Sequence, residues 1–175
     1  MATKTKPSTT QDLLGVYLND HLAGSTLGME LVRRMTASAE PGSERATALR
    51  GLATEITEDR SALLAIMAAL GIRVRGYKMF AAWAGEKTGR LKLNGRLLTR
   101  SPLSDLVETE FLRAGVEGKC ACWRTLRELA ERDGRLDTGH LDELIVRADH
   151  QARVLENLRS ATAVRVFADG GGPDS

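Results

Sequence analysis

The chain has 175 residues, a formal net charge of +2, 42% apolar residues and only 4% aromatics. That length fits one domain able to bury roughly 70% of its unfolded surface, and its richness in Leu and Ala favours packed helices over sheets. No apolar run reaches the ~18 residues of a membrane span, and the opening MATKTKPSTTQD lacks the apolar segment of a signal peptide. A cytoplasmic protein without a membrane partner is therefore expected.

Residues 1–9 lack an apolar anchor and read as a disordered N-terminus, with the folded domain spanning 10–168. Helix 1 is expected over 10–38, with Ser8 and Gln11 as a capping box. Its seam, the stripe produced by spacings of three and four, reads Leu14, Leu18, His21, Ser25, Gly28, Val32, Met35. Pro41-Gly42-Ser43 breaks the chain and offers Ser43 as the cap of helix 2, expected over 44–71. The seam of helix 2 reads Leu49, Leu52, Ile56, Asp59, Leu63, Ile66, Leu70.

A long connection, the crossover 72–101, follows. Within it Tyr77 to Glu86 suits a short helix whose Met79, Phe80 and Trp83 pack onto the rest. Ser101-Pro102 starts helix 3, expected over 102–132, because Pro has no N–H to leave unpaired in the first turn. Its stripe reads Leu103, Val107, Glu110, Ala114, Glu117, Ala121, widened by Phe111, Leu112, Trp123, Leu126 and Leu129. Cys120 and Cys122 are two apart on this helix and point in different directions, so they are expected to be small unpaired thiols. After the Asp133-Gly134 stop, Asp137 or Thr138 caps helix 4 over 138–167, with the seam Leu141, Leu144, Ala148, Gln151, Leu155, Leu158. The tail, 169–175, is Gly-rich and reads as disordered.

The seams share an anomaly. Each is interrupted near its midpoint by a polar residue: His21, Asp59, Glu117 and Gln151. Glu55 lies one turn before Asp59, and Glu110 two turns before Glu117. If short connections make antiparallel hairpins, the four midpoints meet in one layer. Burying a polar group alone costs roughly 2–7 kcal/mol, so such residues must satisfy one another or bind a ligand. Two readings follow: a closed hydrogen-bond network that sets helix register, or a single Fe, Mn or Zn ion on His21, Asp59 and Glu117 with Glu55 as a fourth ligand. Gly24, Gly28, Gly115 and Gly118 interrupt the helices nearby; they allow close helix approach, room beside His21, or a bulge re-aiming Glu117.

Two helical hairpins, a long crossover between helices 2 and 3, and mid-helix carboxylates with an imidazole resemble the ferritin-like superfamily. The resemblance implies an all-α, antiparallel four-helix bundle. Its di-iron members place a Glu on helices 1 and 3 and a Glu-x-x-His pair on helices 2 and 4. Here Glu117 matches helix 3 and His21 stands in the helix 1 position. Ile56-Thr57-Glu58-Asp59 and Ala148-Asp149-His150-Gln151 depart from the two pairs, leaving ligands for one metal rather than two. In its Ala, Arg, Leu and Gly usage the chain also resembles small helical proteins of high-GC bacteria.

Charge is uneven along the chain. Gly71 to Ser101 holds Arg73, Arg75, Lys78, Lys87, Arg90, Lys92, Arg96 and Arg100 against Glu86, so it is +7 and the remainder −5. Interleaved with Tyr77, Phe80 and Trp83, these bases suit a nucleic acid or another polyanion, with Arg73, Arg75, Lys78, Arg90 and Lys92 as the contacts. The simpler expectation is that the segment pairs with the acidic remainder of the chain. Three functions are thus in view: a non-enzymatic helical protein that self-associates or binds a protein partner, a metal-binding or redox protein, and a polyanion binder.

Overall fold

A computed structural model describes residues 9–75 and 102–168. The expected short helix at 77–86, the cap at Ser8, the tail at 169–175, and Lys78, Arg90 and Lys92 lie outside the described residues. Within them are four α-helices and no strand: α1 (Thr10–Ser38), α2 (Glu44–Ala69), α3 (Pro102–Ala130) and α4 (Thr138–Ala168). No described helix is long and apolar enough to cross a membrane.

The helix ends follow from local chemistry. Thr9, not Ser8, caps α1: its hydroxyl accepts from the Asp12 N–H at 3.2 Å while the Asp12 carboxylate accepts from the Thr9 N–H at 3.0 Å. The acid in the third position outcompetes Gln11 for this role because a carboxylate complements the positive helix terminus. Gln11 instead donates to the carbonyl of Leu70 at 3.0 Å, a bond from one end of α1 to the far end of α2. Ser43 caps α2 through the Ala46 N–H. Asp137 does the same for α4, accepting from the His140 N–H at 3.1 Å.

α2 ends two residues earlier than its expected end at 71. Gly71 takes φ +69°, and the N–H groups of Gly71 and Ile72 bond back to the Ala68 and Met67 carbonyls. This is the Schellman closure, which needs a left-handed residue and therefore favours glycine. It turns Ile72 inward against Gly15 of α1.

Direct packing joins α1 to α2, α1 to α3 and α3 to α4, while α2 and α4 approach more sparsely. Residue pairings run in opposite order along each neighbouring pair. Gln11 meets Leu70 while Val32 and Met35 share a cluster with Leu49 and Leu52. Arg127 meets Asp142, Arg113 meets Glu156, and Arg165 meets Asp105.

The apolar core is in two parts. One holds Leu18, Leu22, Leu63, Ile66, Met67, Trp123, Leu126, Leu141 and Leu144 among others; the second holds Val32, Met35, Leu49, Leu52, Ile56, Leu112, Val116 and Leu155. The expected seams of α2 and α4 are buried as read, apart from Leu158, which is partly covered. α3 corrects its expectation: Leu106, Thr109, Leu112, Val116, Cys120, Trp123, Leu126 and Ala130 face the core, whereas Leu103, Glu110, Ala114, Glu117 and Ala121 are exposed. Both sides of α3 carry apolar residues. The one carrying Trp123, Leu112 and Leu126 removes more apolar surface from water and so takes the interior.

The mid-helix glycines are also corrected. A Cβ on Gly28 would touch Leu112 at 4.0 Å, but one on Gly24, Gly115 or Gly118 would meet nothing within 4 Å. Contact at 4.0 Å is ordinary packing that an alanine would tolerate, so close helix approach requires none of these glycines, and α3 continues unbroken past Glu117. Gly51 of α2 is likewise exposed with open space around it. Gly51→Ala should therefore raise stability by about 0.5–1 kcal/mol in urea unfolding, because only helix propensity changes; a loss would show an undetected contact.

Candidate functional site

Between the two apolar clusters lies a polar layer. Asp59 on α2 and Gln151 on α4 are almost fully excluded from water, at 2% and 0% exposure. An unpaired carboxylate cannot stay ionised there, so its partners decide whether the fold is tenable. Lys119 of α3 donates to both Asp59 and the Gln151 side-chain carbonyl. Arg147 of α4 donates from Nε to Asp59 Oδ1 at 2.8 Å and from Nη1 to Glu58 at 3.1 Å. The Gln151 amide donates to Glu55 at 2.9 Å and to Asp59 Oδ2 at 3.1 Å.

Each oxygen of the buried carboxylate thus has a cationic donor, and Gln151 uses both ends of its amide. The network joins α2, α3 and α4. It also explains how sparsely packed α2 and α4 remain tied: long side chains bridge where the backbones do not touch. Burial pushes the Lys119 ammonium below its ordinary value, opposed by the attraction of Asp59. Its ammonium reaches the buried Asp59 and Gln151, while 17% of the side chain as a whole stays exposed.

The expected site residues divide into three groups. Asp59, Glu55 and Gln151 are brought together. Glu117 and Glu110 are not: both are exposed on the outside of α3, where Glu117 pairs with Arg113 at 3.5 Å. His21 is half-buried and sets its ring edge against Tyr17, with centroids 4.6 Å apart at an interplanar angle of 71°. The Tyr17 hydroxyl lies 3.5 Å from Thr125 of α3, so His21 and Tyr17 belong to the α1–α3 contact. Among the described residues, no three His, Cys, Asp or Glu side chains converge where a metal ion would sit. Of the expected polyanion contacts, Arg73 and Arg75 are exposed, their backbone held by Asn19 of α1.

Sequence reasoning missed Lys119 and Arg147. Lys119 is three residues past Val116 and four before Trp123, so it lies on the true inner stripe of α3. Phasing that helix on its large side chains would have found it. Arg147 is one turn before Gln151, a spacing that puts both on one side of α4. The two cysteines are free and buried. Burial pushes the Cys120 thiol up to about 11, with the neighbouring Asp149 carboxylate adding to it, and pushes Cys122 to about 12. Both are therefore thiols rather than thiolates at neutral pH.

No family model, no curated protein and no solved structure matches this chain.

Two predictions come from this geometry. Because Asp59 has two cationic partners, Lys119→Met or Arg147→Met alone should cost about 1.5 kcal/mol, whereas the pair should cost about 5 kcal/mol by stranding the carboxylate. Adding Asp59→Leu to the double variant should restore stability, and strictly additive losses in denaturant unfolding would refute the shared-partner arrangement. For His21, burial outweighs the pull of Asp20 and lowers its pKa from the ordinary 6.5. The unfolded chain then takes up the proton first, so the stability His21 contributes is complete above 6.5 and lost as pH falls through the lower folded value. Between about pH 7.5 and pH 5 the parent should therefore lose more stability than His21→Gln; equal losses would exclude this role.

Proposed function

We propose that this chain is a non-enzymatic helical protein of ferritin-like, antiparallel four-helix architecture, acting in the cytoplasm as a structural or partner-binding module. The opposite order of contacts along neighbouring helices supports the antiparallel arrangement. With the long connection between α2 and α3, that order supports the ferritin-like path of the chain. Both free thiols suit a reducing compartment.

The observation that carries the reading is the pairing of Asp59 with Lys119 and Arg147. In a ligand-binding centre at this level, carboxylates would present their oxygens to the ligand. Here cations of the same chain occupy both oxygens of Asp59, and Gln151 bridges to Glu55. A polar layer of this kind sets helix register, since a slip along either axis by one turn would strand a buried charge.

The test is elemental analysis of protein purified without chelator, alongside His21→Ala and Lys119→Met. Metal well below one equivalent in all three, with Lys119→Met less stable, is the expected result. A stoichiometric metal that disappears in His21→Ala would replace this reading with the metal-binding one.

A further inference from the structure

The side of α3 that faces away from the core carries large apolar side chains among its acids. Phe111 and Leu103 are about half exposed, at 51% and 50%, with Leu129 further along the helix. On the neighbouring helix α1, Leu13, Val16 and Leu27 are exposed in the same way. α1 and α3 are in direct contact through Gly28 against Leu112 and Tyr17 beside Thr125, so the two stripes make one outward face. Asp20, Glu110, Glu117 and Glu128 stand exposed on the same two helices. A face that combines exposed apolar side chains with acids is what a basic, apolar segment would cover.

Such a segment is attached to both helices. The chain leaving α2 is fastened to α1, where Asn19 accepts from the Arg75 N–H at 2.7 Å and donates to the Arg73 carbonyl at 3.1 Å. It re-enters the described structure at Pro102, the first residue of α3. Between them, residues 76–101 carry Lys78, Lys87, Arg90, Lys92, Arg96 and Arg100 against Glu86, with Met79, Phe80, Trp83, Leu91, Leu93, Leu97 and Leu98. The distance from Asn19 to the far end of α1 is about 29 Å at 1.5 Å per residue, and 26 residues can reach roughly 80 Å. The connection therefore has far more chain than the span requires.

We propose that the outward face shared by α1 and α3 is the docking surface for the chain's own residues 76–101. Attachment at both ends holds that segment at an effective concentration in the millimolar range, far above that of a second copy in dilute solution. The acids of α1 and α3 then neutralise bases that would otherwise be open to polyanions. The inference is separate from the role of the buried polar layer and survives if that layer proves to bind a metal.

Zero-length carbodiimide coupling on an equal mixture of light and heavy isotope-labelled full chains tests it. Lys78, Lys87 and Lys92 should couple to Asp20, Glu110, Glu117 or Glu128 within a single chain, giving light–light and heavy–heavy products. In Leu27→Ser/Phe111→Ser, whose changes are at exposed positions and whose helicity circular dichroism checks, the yield should fall severalfold. Mixed light–heavy products would assign the face to a second copy and overturn the proposal. So would coupling confined to Glu58 or Glu143 on the other helices, no coupling to the four acids, or an unchanged yield in the double variant.

Discussion

One buried carboxylate constrains the interior. Asp59 sits at 2% exposure between two apolar clusters, and its tolerance there depends on Lys119 and Arg147 reaching it from two other helices. Charges in such a position are costly to bury and costly to leave alone. The three helices must therefore keep the axial positions that let all these side chains meet. Apolar packing above and below the layer supplies most of the stabilisation, and the buried charges add a steep penalty for any axial slip that separates them.

The helix ends answer the same demand from outside. The left-handed Gly71 turns the chain back after α2, and Gln11 and Arg135 both donate to the Leu70 carbonyl left open at that end. Asn19 then clasps the strand of chain that leaves. Each contact joins residues distant in sequence at the same level along the helices. Together with the central layer they fix α1 and α2 at a second height.

Legibility differed sharply between helices. α2 and α4 each have one apolar stripe, so Asp59 and Gln151 were recognisable as interior residues from spacing alone. α1 was read in part: Leu18, Val32 and Met35 of its seam are buried, but the buried Leu22 lies off it and the half-buried His21 turns to Tyr17 rather than to the layer. α3 has apolar residues on two sides, and periodicity by itself does not say which side is inside. Choosing the outer one placed Glu117 at the centre and hid Lys119, exchanging a metal-ligating carboxylate for the cation that closes the network. The size of Trp123, Leu112 and Leu126 was the usable signal.

By itself the sequence determined the four helices, the cap at Ser43, a cap at Asp137 or Thr138, and the fact that polar residues interrupt the core near mid-helix. These depend on neighbours within a few residues, where backbone hydrogen bonding and side-chain period act. Only the tertiary structure decided which face of α3 turns inward, that Lys119 and Arg147 rather than His21 and Glu117 meet Asp59, and that α1 and α3 share an outward apolar face. Those outcomes compare the burial of whole stripes and the pairing of charges from three helices, quantities that exist only once the helices have been packed together.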